Sequence, residues 1–165
     1  MERFTLHRRF GLAIVAYRAF HHLLSPDAQR SCLAHLRRHL RRGGRLVIHL
    51  YDPRLDLCDP AAVRPPSARS TVHDPASGCG VAVAVTDRVN DAVTQTLSEI
   101  WRWTVSRNGA VVRTFADELR LRWTYRYEMR YLFELTGFTV LAEYSDFKGS
   151  PPRYGAEQVW VVARM

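Results

Sequence analysis

Lysine is almost absent: of 24 basic residues, 23 are arginine and only Lys148 is lysine. A nucleic-acid surface usually mixes both types. The arginine therefore reads as codon bias rather than a recognition face, despite a net charge of +8 and a pI of about 10.0. Cysteine is scarce too. Cys32, Cys58 and Cys79 are odd in number and widely spaced, which excludes a disulfide framework, a Cys-x-x-Cys pair and a zinc signature; a reducing cytoplasm is the expected compartment. No apolar run approaches the ~20 residues that span a bilayer, so no membrane association is expected. The run from Phe10 to Phe20 follows Arg8 and Arg9 as a signal peptide would, but Arg18 interrupts it and no small-x-small cleavage site follows. His35 and His39 are four apart yet lack a carboxylate or cysteine partner, so no metal is expected. A Gly-x-Ser-x-Gly elbow is missing, which leaves hydrolase chemistry unsupported.

What is present is an ordinary globular composition. The 165 residues are 47% hydrophobic and 24% charged, which fits one domain, 1–165, with a single core. The charge is unevenly placed: residues 1–45 hold ten arginines against Glu2 and Asp27, whereas residues 46–165 balance at 14 against 14. Along the chain, Phe10 to Tyr17 is a continuous apolar run, the pattern of a strand buried on both faces. A helix follows, with Ser25 as N-cap, Pro26 in its first turn, Asp27 at the positive end of the dipole and Gly43-Gly44 as its stop. Arg45 to Tyr51 reads as a second strand, completing a parallel β-α-β unit.

Residues 53–80 are rich in proline, serine and aspartate and read as a long flexible loop. Beyond it the period becomes two, over 81–86, 94–104, 111–115 and 119–124, with Asn108-Gly109 as a hairpin turn. This is an antiparallel meander inserted after the β-α-β unit. Helical spacing returns at 128–135, Gly137 stops it, and strands over 138–144 and 158–163 close the chain. The fold class expected is α/β: a parallel β-α-β unit, an antiparallel meander and a C-terminal reversed hairpin.

The order of these pieces carries a resemblance. Phe10-Gly-Leu-Ala-Ile-Val through Phe20-His21-His22-Leu23-Leu24-Ser25-Pro26 resembles the fourth strand of class I S-adenosylmethionine-dependent methyltransferases and the turn after it. His35 to Ile48, with its Gly43-Gly44 turn, is similar to the family's next helix and fifth strand. Glu134-Leu-Thr-Gly-Phe-Thr-Val140 is similar to the element opening strand six, and Trp160-Val-Val-Ala163 to strand seven. The resemblance covers essentially the whole chain but only the C-terminal two-thirds or so of a family domain, a partial Rossmann-like sheet. The family's Gly-x-Gly-x-Gly cofactor loop has no counterpart. Gly78-Cys79-Gly80 leads into a strand rather than a helix, the wrong context for a nucleotide site.

The resemblance implies S-adenosylmethionine as cofactor, a small-molecule methyl acceptor and a set of site residues. His22 matches the family histidine and would take a proton as the methyl transfers, or else cap a neighbouring loop. Tyr17 and Ala19 would border the cofactor; Arg18 and Phe20 would line the acceptor side. At the end of the second strand, Tyr51 and Asp52 would contact the acceptor, or else form a strand-ending turn. Trp101, Trp103, Trp123, Tyr125 and Tyr127 would either wall the pocket or pack a sheet face. Without the cofactor half, activity alone is expected to be impaired. A sheet lacking its first strands would expose an edge that a homo- or hetero-oligomer would cover, and a non-catalytic partner subunit is the alternative function. A nucleic-acid-binding module, suggested by Arg37, Arg38, Arg41, Arg42 and Arg45, is disfavoured because no helix-turn-helix or aromatic-basic motif accompanies it.

Overall fold

The computed structural model describes residues 2–53 and 68–165. The chain divides into two compact units, residues 1–57 with 121–165 and residues 58–120, where composition suggests one domain.

The first unit is a four-stranded sheet with two helices. Strand β1 (Phe10–Val15) leads through a 3-10 turn (Ala19–His22) to helix α1 (Pro26–His39) and strand β2 (Leu40–Tyr51). After the second unit come α2 (Arg126–Leu135), β7 (Phe138–Tyr144) and β8 (Glu157–Arg164). The sheet order is β1-β2-β8-β7; β1 and β2 are parallel, and β8 runs antiparallel to both its neighbours. Helix α1 starts as its sequence dictates, with the Ser25 hydroxyl accepting the Ala28 N–H at 3.1 Å. It ends earlier than its glycine pair suggests. The chain is already extended at Leu40, and Gly43-Gly44 lies inside β2, where the register against β1 slips between Phe10 and Leu12. A Cβ on Gly44 would stand 2.8 Å from the Arg41 carbonyl oxygen and 3.2 Å from that of Phe10, so only glycine fits that bulge.

The core lies on one face of this sheet. Leu46, Ile48 and Leu50, two apart on β2, meet Trp160 and Val162 of β8, Cys32 and Leu33 of α1, and Met129, Leu132 and Phe133 of α2. Strand β1 departs from expectation. Leu12 is 52% exposed and Ile14 63%, because β1 is an edge strand with only β2 beside it. Its apolar run is real, but the cover that such a run implies is absent among the described residues.

The second unit is a meander: β3 (Ala68–Asp74), β4 (Cys79–Asp91), β5 (Thr96–Arg107) and β6 (Ala110–Arg122), paired in that order. Residues 68–74 and 79–80 are thus strand where proline-rich composition suggests loop, because β3 finds a partner in β4; the rest of the expected loop, 54–67, lies outside the described residues. Two strands expected over 111–124 are one. Asn108 (φ 48°) and Gly109 (φ 82°) make the tight turn that the pair predicts. Trp101 and Trp103 lie 6.2 Å apart between ring centroids, and Trp103 stacks on Phe115 at 6.0 Å, so these aromatics pack a sheet face. No helix among the described residues is long and apolar enough to cross a membrane.

A buried polar chain fastens α1 to the start of α2. The Arg122 guanidinium donates to Gln29 Oε1 (2.9 Å) and to Glu128 Oε1 (2.7 Å), and the Gln29 amide donates to the Thr124 hydroxyl (3.0 Å). Gln29 and Thr124 are fully buried. Gln29→Leu takes an acceptor from a buried cation and is expected to cost about 2 kcal/mol or more, read as a lowered urea midpoint at unchanged slope; a loss under ~0.5 kcal/mol contradicts the role given to this chain.

Candidate functional site

The site forms where β1, β2 and β8 meet. Because β1 and β2 are parallel and β8 is reversed, the last residues of the first two and the first residue of the third share one end of the sheet. The chain leaves β1 through two consecutive non-glycine residues in the left-handed region, Tyr17 (φ 53°) and Arg18 (φ 63°). Each costs about 1–2 kcal/mol, so the surroundings must hold them. They do: the Arg18 N–H donates to the His49 carbonyl at 3.1 Å, and its guanidinium forms an ion pair with Glu157, Nε lying 3.4 Å from Oε2. That guanidinium also lies 5.8 Å from the Tyr51 ring centroid. The second Glu157 partner is His49, whose Nε2 is 2.9 Å from Oε2. Burial pushes the Glu157 carboxyl pKa upward, but the hydrogen bonds and charges of Arg18 and His49 outweigh it and hold the group below its ordinary range.

Beside this cluster is a pocket of about 450 Å³ lined by Arg18, Tyr51, Asp52, Ser145, Arg153, Gly155, Ala156 and Glu157. A second hollow, of about 320 Å³, is lined by Asp52, Pro53, Tyr125, Arg126, Tyr127 and Tyr154. Asp52 borders both and is held in place. Its Oδ2 accepts the Gly155 N–H (2.9 Å) and its Oδ1 the Gln158 amide (2.7 Å), which continues to the Trp160 indole N–H (2.9 Å).

Of the residues singled out in the sequence, Arg18, Tyr51 and Asp52 come together at the pocket. Tyr17 is 90% exposed beside them. Ala19 packs against the core, and Phe20 is fully buried within it, which takes Phe20 out of reach of a ligand. His22 lies at the exposed end of the 3-10 turn, and its side chain makes no hydrogen bond among the described residues. The histidine turned inward is its neighbour. His21 is fully buried, its ring edge-on to Tyr51 at 4.3 Å with both nitrogens unpaired. Burial first, and then the charge of Arg18, push its pKa down to about 3, so it is neutral. Sequence reasoning missed Glu157, which has no local motif and is defined by strand pairing alone. His35 and His39 hold the N-terminal segment: His39 Nε2 accepts the Leu6 N–H at 2.8 Å and its ring stacks on Phe4 at 4.7 Å. No cluster among the described residues suits a metal.

No family model matches the chain, and no curated protein matches it significantly. Solved structures do match. The CcbJ methyltransferase from Streptomyces caelestis superposes with a TM-score of 0.72 at 22% identity, covering 99% of this chain and 61% of that one. DesVI of Streptomyces venezuelae gives 0.73 at 19%, covering 99% and 62%. CalS10, an amino pentose methyltransferase from Micromonospora echinaspora solved with bound S-adenosylmethionine, gives 0.70 at 20%, also covering 99% and 62%. The fold is that of the class I S-adenosylmethionine-dependent methyltransferases. The chain spans about three-fifths of the length of each of these structures.

Against that methyltransferase-like fold, the described residues do not make a complete cradle for the cofactor. A ribose diol calls for a free carboxylate, yet Asp52 and Glu157, the two at this mouth, are both engaged. Gly78-Cys79-Gly80 is no phosphate or ribose loop. A Cβ on Gly78 would collide with the Asn108 side chain, and one on Gly80 would lie 2.9 Å from the Ser106 hydroxyl, so Gly78 (φ 65°) serves the β3–β4 turn and Gly80 close strand packing.

His21 gives the site a pH signature. The unfolded chain protonates this histidine near pH 6.5 and the folded one only near 3, so stability is full above 6.5 and falls as pH drops toward 3. Between pH 7.5 and 5 the loss should be about 2 kcal/mol. His21→Leu, of similar volume, should shrink that loss, measured by urea unfolding at both pH values; an unchanged pH dependence contradicts this account.

Proposed function

We propose that this chain serves S-adenosylmethionine-dependent methyl transfer to a small molecule, contributing the acceptor side of the site. The observation that supports this most is the juxtaposition of Arg18, Tyr51 and Glu157 around a pocket at the strand ends of a methyltransferase-like sheet. In open α/β sheets that end is where ligands bind. Solved structures of like fold include a sugar N-methyltransferase and an amino pentose methyltransferase, which favours a small polar acceptor. Arg18 and Glu157 fix one another, Tyr51 supplies an aromatic wall, and Arg153 and Ser145 border the opening; together they bind and orient the acceptor and exclude water from one side of it. The cofactor supplies the activated methyl group. Tyr17, exposed next to Arg18, would border it.

Because the cradle is incomplete, isothermal calorimetry with S-adenosylhomocysteine should find binding to the 165-residue chain weaker than about 100 μM. Micromolar binding would overturn that expectation and favour a self-sufficient enzyme.

A second reading, that the chain works with a partner subunit or a second copy, is favoured by the open edge of β1 and its exposed Leu12 and Ile14. Size-exclusion chromatography with light scattering should then report an assembly larger than 19.0 kDa, which the double substitution Leu12→Arg with Ile14→Arg dissociates. A monodisperse, soluble monomer removes the partner reading.

A further inference from the structure

We propose that Arg9, Arg37, Arg42 and Arg164 form a second ligand site, for a soluble oligophosphate, at the end of the first unit's sheet opposite the pocket. This site is independent of the methyl-transfer reading.

Topology brings the four together. Arg9 immediately precedes β1, Arg42 lies in the bulge near the start of β2, Arg37 is in the last turn of α1, and Arg164 ends β8. Because β1 and β2 are parallel and β8 is reversed, those positions share one corner. The six residues of β1 put roughly 20 Å between that corner and the turn that carries Arg18.

Two of the guanidinium groups are pinned. Arg164 Nη1 donates to the carbonyls of Arg37 (2.9 Å) and Leu40 (2.6 Å) at the end of α1. Arg37 Nε donates to the Gly137 carbonyl at 2.9 Å, and its guanidinium lies against that glycine. A Cβ there would stand 3.0 Å from Nε and 3.2 Å from Cζ. Arg9 and Arg42 are exposed and make no hydrogen bond, ion pair or ring contact among the described residues. Burial first, and then the charges of Arg9, Arg37 and Arg42, push the Arg164 pKa below its ordinary range.

No protein anion answers this charge among the described residues. The stretches that meet here, 8–12, 36–46, 135–139 and 162–165, contain no aspartate or glutamate. Glu134, just outside them, is exposed and forms no ion pair, and none of the four arginines is paired with any carboxylate, the chain terminus included. The C-terminal end of α1 offers about half a negative charge, which suits one cation and not four. The helix end and the Gly137 turn account for Arg164 and Arg37; neither accounts for Arg9 or Arg42. Codon bias explains arginine in place of lysine, but not the convergence of four from separate elements.

The ligand class follows from shape and charge. A guanidinium meets phosphate oxygens through paired N–H donors. Four of them at one corner match a compact anion of several charges, which linked phosphates carry and a lone carboxylate does not. A nucleic-acid strand fits less well. Single strands call for exposed aromatic platforms, and the ring at this corner, Phe10, is half-buried with the Arg8 guanidinium 4.6 Å from its centroid. A duplex calls for cations spread along its backbone rather than gathered at a point.

The experiment is isothermal calorimetry on the full chain at pH 7.5 and constant ionic strength, with inorganic triphosphate as probe and sulfate as the simple-anion control. Triphosphate should bind one to one with a Kd below about 100 μM, and sulfate at least about tenfold more weakly. Arg9→Gln with Arg42→Gln keeps the pinned pair and every hydrogen bond described above, and should raise the Kd about tenfold. Arg102→Gln with Arg113→Gln removes the same charge from the second unit and should leave the Kd within about twofold. Triphosphate binding no tighter than sulfate overturns the site in the unaltered chain, without any variant. Weakening by neither double substitution, or by both equally, overturns it as well, the latter by reducing it to net charge. Duplex DNA or anionic phospholipid vesicles that displace the probe at a lower phosphate concentration than triphosphate itself overturn the soluble-ligand class.

Discussion

One carboxylate gathers the site. Glu157 opens β8, and by meeting both the Arg18 guanidinium and the His49 imidazole it ties three strand ends together. The arrangement works only because β8 is reversed. Were it parallel to β2, its first residue would lie at the far end of the sheet from Tyr51, rather than opposite it in the register. Arg18, in turn, stays in a left-handed backbone conformation that its side chain disfavours because its N–H and its guanidinium are both held. Remove the carboxylate and the turn loses one of its two anchors, the imidazole loses its orientation, and a guanidinium is left beside a partly buried histidine. The local strain and the local charge pattern are therefore parts of one device.

Much of the fold was legible in the sequence, and the parts that were not have a common cause. Helix α1 could be read because its cap is local: Ser25 bonds a residue three positions on. The Asn108-Gly109 turn could be read because its two central residues fix their own dihedrals. Gly43-Gly44 misled because a left-handed glycine such as Gly43 serves a helix stop and a strand bulge equally well; the bulge goes with the pairing of β2 to β1, more than thirty residues away. The exposure of β1 was likewise invisible, since hydrophobic run and edge position are independent properties.

The site shows the same division. Arg18, Tyr51 and Asp52 were identifiable because they sit just past apolar runs, where α/β sheets place their ligand sites. Between two adjacent histidines the sequence offers no discrimination, and a 3-10 turn sends them opposite ways: His21 into the interior and His22 to the surface. Asp52, read either as an acceptor contact or as a strand-ending turn, borders the pocket and accepts the Gly155 N–H and the Gln158 amide. Those partners lie over a hundred residues downstream, as does Glu157, and only the β2–β8 register brings them near.

That register also sets an order of events during synthesis. The meander of the second unit is contiguous in the chain and consists of neighbouring hairpins, so it can close as soon as it has emerged. The first unit is interrupted by it, and its central pairing runs from Arg45 with Ala163 to Tyr51 with Glu157. Until residues 157–163 leave the ribosome, β2 has no partner on that side and the apolar face of Leu46, Ile48 and Leu50 has no Trp160 to cover it. The nascent chain thus carries an uncovered apolar strand until then, and a chaperone that holds residues 40–51 during translation would protect the very segment on which the site is later built.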